Sequence, residues 1–164
     1  MIHPIRTYPD EVLRRVADEV KNITDEVRHL ASDMKETMCA ARGVGLAANQ
    51  IGRSFRIITL ETGSEKESNP LVVVNPVIVG LDGEDAGEEG CLSIPGFYEI
   101  IKRAKKVVVQ GVDIDEKELT IECSGLLARA FQHELDHLDG ILFVDHLSTV
   151  KKQLFKREYA KEKK

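Results

Sequence analysis

The stretch QHELDH, from Gln132 to His137, sets two imidazoles four residues apart with a carboxylate directly after the first. On a helix, side chains at i and i+4 project from the same face. His133 and His137 would therefore point at one partner, and a divalent metal ion is the partner two neutral imidazoles can share. Glu134 would reach a water on that ion without ligating it, and would act as the proton acceptor in a hydrolysis. The blander reading is a polar helix face with Glu134 in solvent. A hydrolytic metal site also needs a third protein ligand and a fourth position for water.

Three routes lead to that ligand. The extended pattern H-E-x-x-H-x-x-G-x-x-H finds Gly140 in its place, but Phe143 stands where the last ligand belongs and closes the route. Glu158 follows His137 by 21 residues, in a highly charged terminal segment where glutamate is common anyway. Cys91, in EEGCLSIPG, lies in a glycine-flanked loop between expected strands, and thiolate suits zinc or iron(II). Cys39 closes a helix and Cys123 ends a strand whose alternation suggests packing. Most free cysteines are small buried hydrophobes, and of the three Cys91 has the best setting for a ligand.

The elements that must carry these residues can be read from periodicity. In TDEVRHLASDMKETMCAA, Val27, Leu30, Ala31, Met34 and Met38 make a helical stripe, with Thr24 as its cap and Gly43 as its stop. FRIITL and LVVVNPVIV read as strands joined by the polar ETGSEKESNP. KKVVVQGVDI and ELTIEC read as a hairpin. SGLLARAFQHELDHLDG is a helix from Ser124 to Gly140, with Leu127, Phe131, Leu135 and Leu138 on one face and Leu126, Ala130, His133 and His137 beside it. The acidic run from Asp82 to Glu89 reads as a solvated loop. From Ser148 a helix is expected with Val150 and Leu154 inward, joined by Tyr159 or Phe155. Strands and helices do not alternate, so the fold class is α+β, with antiparallel strands around the central helix, N-terminal helices before it and a C-terminal helix after.

The chain has 164 residues, which suits one catalytic domain over 1–164 with a basic helix over 147–164. No apolar run approaches the roughly 18 residues of a membrane span, and no secretory signal opens the chain, which points to the cytoplasm and away from membranes. Three sparse cysteines do not make a disulfide framework. The last 14 residues carry +5, leaving −10 on the preceding 150. That balance disfavours general binding of DNA by the body of the protein. The basic tail has two readings, a solvated helix end and a surface that docks on the anionic RNA of the ribosome.

GVGLAANQ (Gly43 to Gln50), EGCLS (Glu89 to Ser93) and QHELDH occur in that order and resemble the three signature segments of the peptide deformylase family. The likeness extends to YPDEVLRRVA near the start and LFVDHLS after the metal helix, so it covers nearly the whole chain. It implies a hydrolase that removes the formyl group from the N-terminal formyl-methionine of nascent peptides. It also implies one divalent ion on Cys91, His133 and His137. Iron(II) would be the working metal, while imidazole and thiolate also suit zinc, nickel and cobalt. Gln50 and the backbone N–H of Leu92 would stabilise the oxyanion, and Val44 and Gly45 would meet the substrate main chain.

A methionine pocket would have Leu126, Arg129 and Ala130 on one wall and Val44 opposite, with Glu89 counted among the residues that touch substrate. Arg129 has two readings, a pocket stem whose head reaches water or Glu89, and a surface ion pair. Arg103 is read equally as linked to the catalytic region and as solvated. Gln132 receives no role. Two other classes remain open, an HExxH endopeptidase using Glu158 and a non-enzymatic metal-storage module.

Overall fold

The computed structural model describes residues 1–62 and 70–162, with side chains through residue 159. Most of the connection expected over ETGSEKESNP therefore lies outside the described residues. The first of the N-terminal helices is a single 3-10 turn, Glu11–Arg14, capped by Asp10 through a 3.0 Å bond from Val12 N. The second is α1 (Asp25–Ala40), where Thr24 Oγ1 accepts from Val27 N at 3.3 Å and the whole expected stripe is buried. Its stop differs from the expectation. Arg42, not Gly43, takes the left-handed conformation, at φ 56°, and Gly43 N closes the helix on Met38 O at 3.0 Å. Gly43 is constrained by packing instead, since a Cβ there would fall 2.6 Å from Leu92 Cδ1.

The strands are β1 (Gly45–Ala47), β2 (Ile57–Leu60), β3 (Leu71–Asp82), β4 (Asp85–Cys91), β5 (Ile94–Arg103), β6 (Lys106–Val112) and β7 (Glu118–Ser124). Five of them make an antiparallel sheet in the order β1-β2-β3-β6-β7, while β4 and β5 form a separate hairpin. The acidic run read as a solvated loop is thus mostly strand, and Cys91 is the last residue of β4 rather than part of a loop. The helices α2 (Gly125–Leu138) and α3 (Thr149–Glu162) complete the α+β architecture.

The sheet is covered on both faces, which explains why β2 is buried throughout. Ile57, Val72 and Val74 pack with Met34 and Met38 of α1; Ile58, Leu60, Val73, Val107 and Val109 pack with Phe131, Leu135 and Leu138 of α2. Two faces are too few to describe α2. Beyond its first turn it buries Arg129, Gln132, His133, Glu134 and His137 as well as its apolar residues. A third cluster joins the β4–β5 hairpin to α3 through Ile94, Ile101, Phe143, Phe155 and Tyr159. Here the inward face of α3 is corrected: Phe155 and Tyr159 are buried, whereas Val150 and Leu154 are exposed. The aromatic pair packs tilted and edge-on against Tyr8, and Phe155 also meets Phe97 at 4.7 Å between ring centroids. Among the described residues the two aliphatic side chains belong to no such cluster.

Candidate metal centre

Three elements converge on one point. Helix α2 brings His133 and His137, the end of β4 brings Cys91, and a 3-10 turn at Ala48–Ile51 brings Gln50. Cys91 Sγ lies 3.3 Å from His137 Nε2, which lies 3.2 Å from His133 Nε2. The three ligating atoms all fall within 4.8 Å of one another, and among the described residues this is the group of side chains able to hold a metal ion. Glu158 is exposed on α3 and takes no part in it.

The residues fit such an ion. Two imidazole Nε2 atoms and a sulfur facing each other at 3.2–3.3 Å place three electron-pair donors around one space, which a cation satisfies. Burial lowers the affinity of His133 for a proton, but the hydrogen bonds with Cys91 and Glu89 outweigh it and raise the pKa well above the ordinary value. His137 is held neutral, well below the ordinary range, first by its burial and then by the charge of His133. Positive charge is thus favoured at His133 and disfavoured at His137.

His133 is held from behind. Glu89 Oε1 sits 2.9 Å from His133 Nδ1, which leaves Nε2 for the metal side. Glu89 was expected to touch substrate; instead it lies behind the imidazole, and both of its oxygens are taken by Arg103 and Arg129. Burial would raise the Glu89 carboxyl, yet the bonds from Arg103 and His133 hold it well below the usual carboxylate range. Arg103 is therefore linked to the site and not solvated, and its Nη1 continues to Asp136 at 2.6 Å. Arg129 is buried too, with its head on Glu89 Oε2 at 2.7 Å as one of its readings expected, while the head in water and the surface ion pair do not describe it.

Glu134 is 3 % exposed, beside its two histidine neighbours, and its Oε1 has no hydrogen-bond partner among the described residues. Burial pushes its carboxyl up to about 7, against the opposing charge of His133. Gly45 makes room for it, since a Cβ there would fall 2.6 Å from Glu134 Oε2. Gln50 is buried rather than a surface loop residue. Its Oε1 accepts from Ala47 N at 2.9 Å, while Nε2 donates to Ser93 Oγ at 3.0 Å and lies 3.6 Å from Cys91 Sγ. Leu92 follows Cys91 in the tight turn between β4 and β5, half-buried. Val44 and Leu126 are exposed apolar side chains, and Ala130 packs partly into the core under α2.

Sequence reasoning missed two polar residues. Gln132 accepts from Ala104 N and donates to Ala104 O, both at 2.9 Å, fastening α2 to the link between β5 and β6. Asn49 donates to His137 O at 2.9 Å and to Arg15 O at 3.0 Å. Both lie inside the signature segments, but a side-chain amide bonded to backbone far away in the chain leaves no periodic signal.

A family model described as polypeptide deformylase matches residues 2–153. A peptide deformylase of Thermodesulfovibrio yellowstonii is 46 % identical over 160 residues, covering 97 % of both chains. One of Syntrophobacter fumaroxidans is 47 % identical over 161 residues, covering 98 % of this chain and 95 % of that one. The crystal structure of a peptide deformylase from Legionella pneumophila superposes with a TM-score of 0.92 at 46 % identity, covering 99 % of this chain and 96 % of that one.

Proposed function

This chain belongs to the peptide deformylase family, and we propose from that premise that it hydrolyses the formyl group from the N-terminal formyl-methionine of newly made polypeptides, releasing formate. The observation that carries this reading is the convergence of Cys91, His133 and His137 beside the partnerless oxygen of Glu134. Cys91, His133 and His137 would hold a divalent ion, which would supply a Lewis acid and make water a stronger acid near neutral pH.

The chain's own residues do the rest. Glu134 accepts the proton of the attacking water and returns it to the departing amine. The side-chain amide of Gln50 and the N–H of Leu92 donate to the formyl oxygen as it gains negative charge. β1 lies at the edge of its sheet, so an extended peptide can pair with its backbone near Val44 and Gly45. Exposed Val44 and Leu126 offer apolar surface to a methionine side chain, with Ala130 deeper on the same helix. The donor set accepts iron(II), zinc, nickel or cobalt, and family likeness favours iron(II) as the working ion. No helix among the described residues is long and apolar enough to cross a membrane, and a cytoplasmic single-domain enzyme acting on nascent chains follows from the reaction.

The HExxH endopeptidase reading is not favoured, because Glu158 lies outside the donor cluster. The test is formate release from formyl-Met-Ala-Ser with metal analysis of the same anaerobic sample. Stoichiometric metal without formate would overturn the reading. The exposed basic side chains of α3 suit docking on ribosomal RNA. Ribosome co-sedimentation of a chain ending at Val150 tests this, and unchanged binding rejects it.

A further inference from the structure

Arg129 and Gly87 form a pair that the reaction itself does not call for. Arg129 lies on α2 four residues before His133 and is 8 % exposed. Its Nη1 donates to Glu89 Oε2 at 2.7 Å and to Ile101 O at 2.8 Å, and its Nη2 donates to Asp85 O at 2.9 Å. One helical side chain thus reaches the start of β4, the residue two before Cys91, and the far part of β5. Gly87 is what admits the guanidinium, since a Cβ there would fall 3.1 Å from Arg129 Cζ and Nη2 and 3.2 Å from Nε.

The bonds around Glu89 show what this achieves. A carboxylate has about four lone-pair sites. Arg103 Nε and Nη2 take two, at 2.8 and 2.9 Å, His133 Nδ1 takes one at 2.9 Å, and Arg129 takes the fourth. Arg103 belongs to β5, so its bidentate pair with Glu89 stays within the hairpin. The hairpin is tied to α2 on either side of His133: by Arg129 one turn before it, and by Asp136, which accepts from Arg103 Nη1, one turn after. Cys91 rides on the same hairpin.

Building on the reading of Cys91, His133 and His137 as ligands, we propose that Arg129 is a positioning residue for the metal centre. It holds the β4–β5 hairpin on α2 so that Glu89 keeps the His133 ring turned with Nε2 toward Cys91 and His137. Without it, Glu89 loses one of four donors, the carbonyls of Asp85 and Ile101 each lose one donor, and the sulfur and the imidazoles are no longer held at a fixed separation.

The test uses the full chain loaded with cobalt(II), comparing wild type with Arg129→Met, Arg129→Lys and Gly87→Ala. Metal loss to a chelator is followed by metal analysis, the thiolate–cobalt absorption bands are recorded, and each melting temperature is measured. Arg129→Met is expected to lose cobalt roughly 10–100-fold faster, the usual cost of removing a group that orients a ligand, with shifted bands. Arg129→Lys is expected to recover part of the retention through one bond to Glu89. Gly87→Ala keeps every polar group but displaces the guanidinium, and is expected to speed metal loss by a smaller factor. A folded Arg129→Met with wild-type retention and bands overturns the proposal, whether or not its melting temperature falls. If Arg129→Met does not fold, Gly87→Ala decides, and wild-type retention there overturns it equally. Wild-type protein that takes up no cobalt would instead remove the underlying ligand reading.

Discussion

Glu134 has the enclosure that a proton carrier needs. Burial is what lifts its carboxyl to about 7, where it can both accept and return a proton near neutral pH. Glu134→Gln keeps the shape and removes the basic oxygen. It is expected to retain stoichiometric metal while formate release falls about 10²–10⁴-fold, the range for a positioned acid–base group; near-normal turnover would assign the proton elsewhere. Gly45→Ala probes the same carboxylate from the other side. Its methyl would fall 2.6 Å from Glu134 Oε2, and Gly45 is fixed in β1, so the carboxylate must move. A displacement of about 1 Å in such a group can cost ~10²-fold. The expected result is a loss of that order in kcat with unchanged metal content, measured by formate release and metal analysis on one sample.

At the scale of elements, Asp145 joins two pieces that sequence alone keeps apart. It accepts from Leu142 N at 2.9 Å, capping the 3-10 turn Phe143–His146, and pairs with Arg14 at 2.6 and 3.1 Å. Burial would raise its carboxyl, but the bond from Arg14 and the Leu142 N–H hold it below the ordinary value. A depressed carboxyl adds stability above its unfolded pKa, and that stability is lost as pH falls through the folded one. Asp145→Asn is therefore expected to cost about 1 kcal/mol at pH 7, the scale of a half-exposed charge-assisted bond. The difference from wild type should vanish in denaturant titrations run well below pH 3.8.

Legibility follows a similar division between local and borrowed stability. α1, β2, β3, the β6–β7 hairpin and α2 carry their own periodicity and were all readable, as were His133, Glu134 and His137 on α2. β4 reads DAGEEGC, poor in β-branched residues. It is a strand because Arg103 and Arg129 pair with Glu89 in the interior and because Gly87 and Gly90 make room for Arg129 and Tyr98. Those causes lie up to 42 residues away in the sequence, so no local window contains them. In α3, Val150/Leu154 and Phe155/Tyr159 have the same i, i+4 spacing. Only the cluster around Tyr8 decides which pair turns inward.

Over the whole molecule, the donors come from two bodies of structure. The histidines belong to α2, packed on the five-stranded sheet, while Cys91 belongs to the β4–β5 hairpin, whose apolar contacts run to the third cluster with α3. An ion bound to all three side chains crosslinks helix and hairpin, and it binds the folded chain more tightly than the unfolded one. Free metal at 100 times its dissociation constant would add about 2.7 kcal/mol to the folded state. For a domain of this size that corresponds to roughly 5–11 °C in melting temperature. Chelation should therefore lower the melting temperature by about that amount, and the loosening should be uneven. Amide exchange is expected to speed up along β4 and β5, which lose their tie through Cys91, while β2 and the paired part of β3, buried between α1 and α2, stay protected. Exchange measured by mass spectrometry on loaded and chelated protein checks this directly. Uniform acceleration across both bodies would mean that the ion stabilises the fold as a whole, and that Cys91 is not the link between them.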